Sequence, residues 1–213
     1  MADQTEQYLD LDDLSPEEWN DYAEAQGWSD GFPVNMPTDA AVERFVDAVR
    51  GDNAPIPALA PRQVVPTFAS LAANAVMAGC RPEYFPVLVA AVRAVAEPDY
   101  NLHGMLATTH PCTNMILVSG PVRAALDINC GSNCFGQGHR ANASIGRALQ
   151  LVMLNVAGAT PGDMDRSTQG SPAKFAFCFG ENEDASPWEP YHVRRGFAAD
   201  DSVVTTMAAE GPH

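Results

Sequence analysis

The sequence predicts a single α/β domain in which helices pack on a mixed sheet, and three observations point to this class. The chain has 213 residues, enough for one domain with a sizeable core. Hydrophobic residues make up 46% and charged residues 18%, an ordinary globular composition. Helix-period segments and short β-branched runs share the chain, without an internal repeat or a low-complexity linker. We therefore expect one domain over residues 15–213, after an acidic and loose leader over residues 1–14.

Five long helices are predicted from capping residues and from the spacing of apolar positions. Ser15 followed by Pro16 starts the first, which should end near Gln26. Thr38 caps the second, and Gly51 ends it. The other three cover residues 69–78, 82–96 and 139–156, and a short helix begins at Pro121.

Four short strands are predicted, at residues 105–109, 115–119, 174–179 and 203–208. The last is rich in β-branched residues, and five residues follow it in the sequence. Two interpretations of this strand stay open. Either a partner chain completes the sheet beside it, or it is an ordinary edge strand with a short tail.

Charge and targeting signals limit the classes of partner. The formal net charge is −15, from 27 acidic and 12 basic residues, so the protein's field repels nucleic acids and anionic lipids. No apolar run reaches the roughly 18–20 residues of a membrane span, and the acidic N-terminus is unlike a signal peptide. We expect a cytoplasmic protein that binds neither nucleic acid nor membrane.

The five cysteines are an odd number, which together with the absence of an export signal indicates reduced thiols rather than a disulfide framework. Cys130 and Cys134 lie in a Gly-rich loop before the helix predicted over residues 139–156. A helix start favours a thiolate, so Cys134 is the leading candidate for a nucleophile or metal ligand, and Cys130 is second. The alternative is a tight loop that holds two buried thiols.

The same helix start predicts a site for an anionic part of a substrate. Free backbone N–H groups and the positive end of the helix dipole attract anions, and glycines allow a ligand to approach the backbone closely. The residues predicted to bind substrate are Gly136, Gly138, His139, Arg140, Asn142 and Arg147.

A second polar cluster contains two histidines and a thiol. His110 and Cys112 flank a proline between two predicted strands, and His103 precedes them. If this loop meets the loop of Cys134, His110 or His103 would be the base beside the Cys134 nucleophile. The alternative is a centre that holds zinc, iron or an iron–sulfur cluster. Its predicted ligands are Cys112, Cys130, Cys134 and His110.

A third cluster is the acidic loop that follows the strand predicted over residues 174–179. Glu181 or Glu183 could serve as a general base or as a ligand to a hard cation, and a solvated acidic loop is the alternative. The basic stretch over residues 191–195 could pair with these acids or clamp a carboxylate.

Several motifs resemble those of a poorly characterised bacterial family associated with small UGSC-motif selenoproteins and their cysteine forms. They are residues 30–34 (DGFPV), 74–84 (NAVMAGCRPEY), 101–104 (NLHG), 134–136 (CFG), 140–143 (RANA), 181–183 (ENE) and 186–190 (SPWEP). The resemblance covers most of the chain from Asp30 onward. It implies thiol or selenol chemistry, longer chains that continue past residue 213, and a role for Cys134 rather than Cys130.

Together these patterns predict a subunit of an enzyme that transforms a small molecule, of the lyase or hydrolase type. The centre would be Cys134 with a histidine, or a metal ion that activates water. An oxidoreductase is disfavoured because no dinucleotide-binding or C-x-x-C motif is present. Two alternatives remain: a non-catalytic metal- or ligand-binding subunit of a hetero-oligomer, and a thiol redox protein.

Overall fold

The computed structural model describes residues 14–211, and its sheet has three strands. They are β1 (Cys112–Ser119), β2 (Cys178–Gly180) and β3 (Val203–Glu210). The order is β2-β1-β3, with β1 parallel to β2 and antiparallel to β3. The predicted α/β class with a mixed sheet is therefore confirmed. Thirteen of the fourteen residues of the predicted leader lie outside the described residues.

Eight α-helices surround this sheet in the described part of the chain. They are α1 (Pro16–Ala25), α2 (Asp39–Ala48), α3 (Phe68–Met77), α4 (Phe85–Val95), α5 (Leu102–Ala107), α6 (Pro121–Ala125), α7 (Arg140–Val152) and α8 (Tyr191–Arg194). Ser15 and Glu18 form a capping box at α1, and the Thr38 hydroxyl accepts the Ala41 N–H at α2. Within residues 14–211, no helix has the length and apolarity needed to cross a membrane.

The core lies between the sheet and the three helices α3, α4 and α7. Helix α7 packs on β1 and β2, and α4 packs on β3. The three helices α3, α4 and α7 also contact one another. Ile116 and Val118 of β1 are fully buried, whereas their neighbours Met115 and Leu117 stay half-buried. This alternation follows the two-residue period of a strand with one face in the core.

Two of the predicted strands are wrong in extent or type. Residues 105–109 do not form a strand, because the Asn101 side chain caps α5 by accepting the Gly104 N–H at 3.4 Å. In the segment 174–179 only Cys178 and Phe179 belong to β2, since a 3₁₀ turn over Pro172–Lys174 precedes it. The strand at 115–119 is confirmed and begins earlier, at Cys112.

The last predicted strand is confirmed as β3, which extends to Glu210. Among residues 14–211 it pairs with β1 alone and is therefore an edge strand. Helix α7 ends at Val152 and continues as one π-helical turn, Met153–Ala157, which stops at Gly158 in a left-handed conformation.

Candidate functional site

The Gly-rich loop over residues 129–138 lies where β1 and β2 end. The Gly180 N–H donates to the Asn129 carbonyl at 3.1 Å, and Gly180 pairs with Val118 in the sheet. The Asn142 amide of α7 donates to the carbonyls of Asn129 at 2.9 Å and Cys134 at 3.2 Å. Asn142, predicted to bind substrate, therefore holds the loop against α7.

His110 and Cys112 lie at the opposite end of β1. Cys112 begins that strand opposite Glu210, and the His110 Nδ1 atom is 2.5 Å from Glu210 Oε1. Because β1 has eight residues, its two ends are about 23 Å apart. The structure therefore does not bring Cys134 together with His110.

This separation also splits the predicted metal centre. Cys112 and His110 lie at one end of β1, and Cys130 and Cys134 lie at the other. His103 is exposed on α5, whose next turn contacts the cavity that Cys112 also lines. The two halves of the Cys/His centre expected from the sequence therefore lie at opposite ends of β1 in this structure, and the centre stays a prediction.

Of the remaining predicted substrate-binding residues, the two arginines are bonded to groups within the chain. The Arg147 guanidinium donates from Nε and Nη2 to the two carboxylate oxygens of Asp30, at 2.8 Å each. The Arg140 Nε atom donates to the Gly79 carbonyl at 3.0 Å. His139 is the N-cap residue and makes no side-chain cap bond. Gly136 and Gly138 are exposed loop residues.

The five cysteines are free thiols in three different environments. Burial raises the pKa of Cys80 to about 12 and also raises the pKa of Cys178, so both are core residues. Burial and the nearby Glu210 carboxylate raise the pKa of Cys112, which is half-buried. Cys130 accepts a hydrogen bond from the Arg123 guanidinium at 3.2 Å.

A cavity of about 840 Å³ opens beside Cys112, between α5, the end of α7 and the segment over residues 159–175. Much of its wall is apolar, from α5, from the residues that follow α7 and from Phe175. These apolar residues are Met105, Leu106, Met153, Leu154, Ala159, Pro161, Pro172 and Phe175. Its volume is within the range of ligand pockets, about 300–1,000 Å³.

Each charged side chain in the cavity wall has its counter-charge within the chain. Asp30 is bound by Arg147, as described above. The Lys174 Nζ atom is 2.7 Å from Asp165 Oδ2 and also donates to Ser167 Oγ and the Cys112 carbonyl. The wall therefore offers no unpaired charge to an ionic ligand.

Two polar residues of the wall, Asn114 and Gln150, belong to a chain of hydrogen-bonded side chains. The Tyr100 hydroxyl donates to Asn114 Oδ1 at 2.7 Å, and Asn114 Nδ2 donates to Gln150 Oε1 at 3.4 Å. Gln150 Nε2 in turn donates to Thr113 Oγ1 at 2.9 Å. An amide has two N–H donors, so Asn114 retains one for a ligand.

Gln150 was not among the candidate site residues predicted from the sequence. The signal available for Gln150 was its place between Leu149 and Leu151, in a helix whose neighbouring positions are buried. A polar side chain inside such a run either hydrogen-bonds internally or meets a ligand.

Comparisons of the chain with protein-family models, with curated proteins and with solved structures found no match. The resemblance to the UGSC-associated family therefore stays a prediction from the motifs alone.

Proposed function

We propose that this protein binds an uncharged, mainly apolar small molecule in the cavity beside Cys112. The observation that carries the proposal is a ligand-sized cavity in which all three charged wall residues, Asp30, Asp165 and Lys174, are ion-paired within the chain. A charged ligand would lose its hydration there without gaining a free counter-ion, whereas an apolar ligand loses only unfavourable contact with water.

The polar contact of such a ligand would be made by Asn114 and Gln150. Cys112 adds a weak donor, because its raised pKa keeps the thiol protonated near neutral pH. A carbonyl or hydroxyl oxygen fits these donors better than a carboxylate, since the site offers hydrogen bonds but no positive charge. We therefore infer a neutral molecule with one or two oxygen atoms.

Among the functions expected from the sequence, this proposal favours the non-catalytic ligand-binding subunit over the lyase or hydrolase. A Cys/His catalytic pair needs its two groups within hydrogen-bond reach, and Cys134 lies at the other end of β1 from His110. The edge position of β3 supports the idea of a second subunit, because an unpaired strand edge can pair with another chain.

A titration with Nile red, an uncharged dye whose fluorescence increases in an apolar environment, tests the proposal. We expect saturable binding by the native chain and at least tenfold weaker binding by Leu154→Trp, whose side chain would fill the cavity. Leu126→Trp is the matched control, since Leu126 is equally half-buried but lies outside the cavity. It should bind like the native chain.

A parallel titration with anilinonaphthalene sulfonate, an anionic dye, tests the preference for uncharged ligands. The native chain should bind it at least tenfold more weakly than Nile red.

The Nile red titration also has an outcome that would contradict the proposal. If Leu154→Trp and the native chain, both correctly folded by circular dichroism, bound Nile red with equal affinity, the cavity would be ruled out as the binding site.

A further inference from the structure

A separate cluster lies at the other end of the sheet, where β2 ends. Glu181 follows the last residue of β2 and stays attached to the sheet, because its N–H donates to the Val118 carbonyl at 2.9 Å. The Glu183 N–H donates back to the Glu181 carbonyl at 2.9 Å, which forms a tight turn. Helix α8 then places His192 beside both acids. One ligand atom from each of Glu181, Glu183 and His192 lies within 4.8 Å of the others.

His192 supplies the observation that distinguishes this cluster from an ordinary acidic loop. Its side chain is 1% exposed, and neither Nδ1 nor Nε2 has a hydrogen-bond partner among the described residues. Buried polar atoms are almost always hydrogen-bonded or bound to an ion, since desolvation without a partner is costly. An unpartnered buried imidazole that faces two carboxylates therefore needs a ligand of its own.

The two carboxylates are already fixed in orientation by hydrogen bonds from the backbone and from Ser119. Glu181 accepts the Ser119 hydroxyl at 2.6 Å through Oε2 and the Tyr191 N–H at 2.7 Å through Oε1. Glu183 Oε1 accepts the Gly120 N–H at 2.6 Å. Metal-binding carboxylates are commonly held in this way, and each oxygen keeps a further lone pair for an ion.

The charge around the cluster also favours a cation. Arg123 lies beside the acids, with its Nε atom 4.0 Å from Glu183 Oε1. Arg123 is shared with Asp184, to which its Nη2 atom donates at 3.0 Å. Arg123 is therefore shared between two carboxylates, Glu183 and Asp184, and a divalent ion would balance the remaining negative charge of the cluster.

We propose that Glu181, Glu183 and His192 bind one divalent first-row metal ion. Two ligand atoms bound to the same ion at about 2.1 Å lie roughly 3–4 Å apart, so small side-chain rotations would close the cluster around it. One imidazole with two carboxylates suits Mn²⁺ and Zn²⁺. His192 also lines a second cavity of about 580 Å³ beside β3, which gives the ion a path of entry.

Mn²⁺ is the probe for this site, because the free thiols of the chain are poor ligands for it. Titration followed by electron paramagnetic resonance should show one ion bound per chain. Glu181→Gln and Glu183→Gln should each weaken binding at least tenfold. Glu189→Gln, an exposed acid of the same loop, is the matched control and should bind within twofold of the native chain.

A second readout identifies the nitrogen ligand. In NMR spectra, bound Mn²⁺ should broaden the ring signals of His192 but leave those of His103, at the other end of the sheet, unchanged. The proposal is overturned by an absence of saturable Mn²⁺ binding, by equal weakening in Glu189→Gln, or by unbroadened His192 signals. If Glu181→Gln does not fold, as judged by circular dichroism, Glu183→Gln decides the outcome.

Discussion

Arg147 binds Asp30 through two parallel hydrogen bonds of 2.8 Å, and this pair joins the middle of α7 to the turn that precedes Val34. The Arg147 guanidinium also donates to the carbonyls of Phe32 and Pro33. Both side chains are largely buried, at 16% and 12% exposure. Asp30 also lines the cavity beside Cys112. The ion pair therefore both holds the turn against α7 and neutralises a charge in the wall of the proposed ligand site.

Replacing Arg147 tests both roles of the ion pair. Arg147→Met leaves the Asp30 carboxylate without its partner, so the free energy of unfolding should fall by about 2–4 kcal/mol. The unpaired carboxylate should also weaken Nile red binding, because the cavity wall would then carry a charge. Urea denaturation and the dye titration measure the two effects.

Arg140→Met is the control for this substitution. It removes one hydrogen bond of an exposed arginine and should lower the free energy of unfolding by less than about 1 kcal/mol. Equal losses in both variants would contradict the role given to Arg147.

Thiol reactivity should follow the three cysteine environments. Cys112 should alkylate slowly near pH 7, because burial and the Glu210 carboxylate raise its pKa above the ordinary value of 9.0. The rate should therefore keep rising with pH beyond about pH 9. Glu210→Gln removes the negative charge and should accelerate the reaction several-fold near pH 7. Peptide mass spectrometry after iodoacetamide treatment measures each rate.

Cys80 and Cys178 serve as internal references in the same experiment. Both are buried and have raised pKa values, so they should react only after unfolding. A Cys112 rate that levels off below about pH 8.5, or one that Glu210→Gln leaves unchanged, would show that burial and Glu210 do not raise the pKa of Cys112.

The decrease in the free energy of unfolding at acidic pH should depend on the ion pair between Asp52 and Arg93. Hydrogen bonds from the Arg93 guanidinium, at 2.7 and 2.9 Å, lower the pKa of Asp52. A carboxyl with a lowered folded-state pKa stabilises the protein above its unfolded pKa of about 3.9, and loses this effect as the pH falls through the folded value. Asp52→Asn should therefore lower the free energy of unfolding by about 1–2 kcal/mol at pH 7, and by progressively less as the pH falls below about 3.9.

Urea denaturation of both chains across this pH range gives the comparison. A destabilisation of Asp52→Asn that persists at pH 2 with its full size would show that the effect comes from packing and not from the ion pair. Asp47→Asn, which removes an exposed pair with Arg50, is the matched control and should be nearly neutral throughout.

The parts of the fold that the sequence predicted correctly are those specified by local interactions. The caps at Ser15 and Thr38 depend on bonds to residues three positions away, and both helices begin where these caps indicate. The strand β3 is rich in β-branched residues, and it too lies where expected. Such signals do not depend on which distant segment the element contacts.

The candidate site could not be predicted in the same way, because its assembly depends on strand register and on long-range partners. Cys134 and His110 are 24 positions apart in the sequence. Their separation in space is set by β1, which runs unbroken between their two loops. Arg147 is predicted from the sequence to bind an anionic substrate group, but its guanidinium is bound by Asp30, which is 117 residues away in the sequence. No periodicity in the sequence encodes that contact.

Protection of Cys112 by a bound ligand is the most direct test of the proposed cavity. Nile red at saturation should slow the reaction of Cys112 with an uncharged maleimide at least tenfold, because both occupy the same space. The rate at Cys134, at the other end of β1, should not change. Slowing of Cys112 alone is the result that the cavity predicts, and unchanged rates at Cys112 under saturating dye would contradict it.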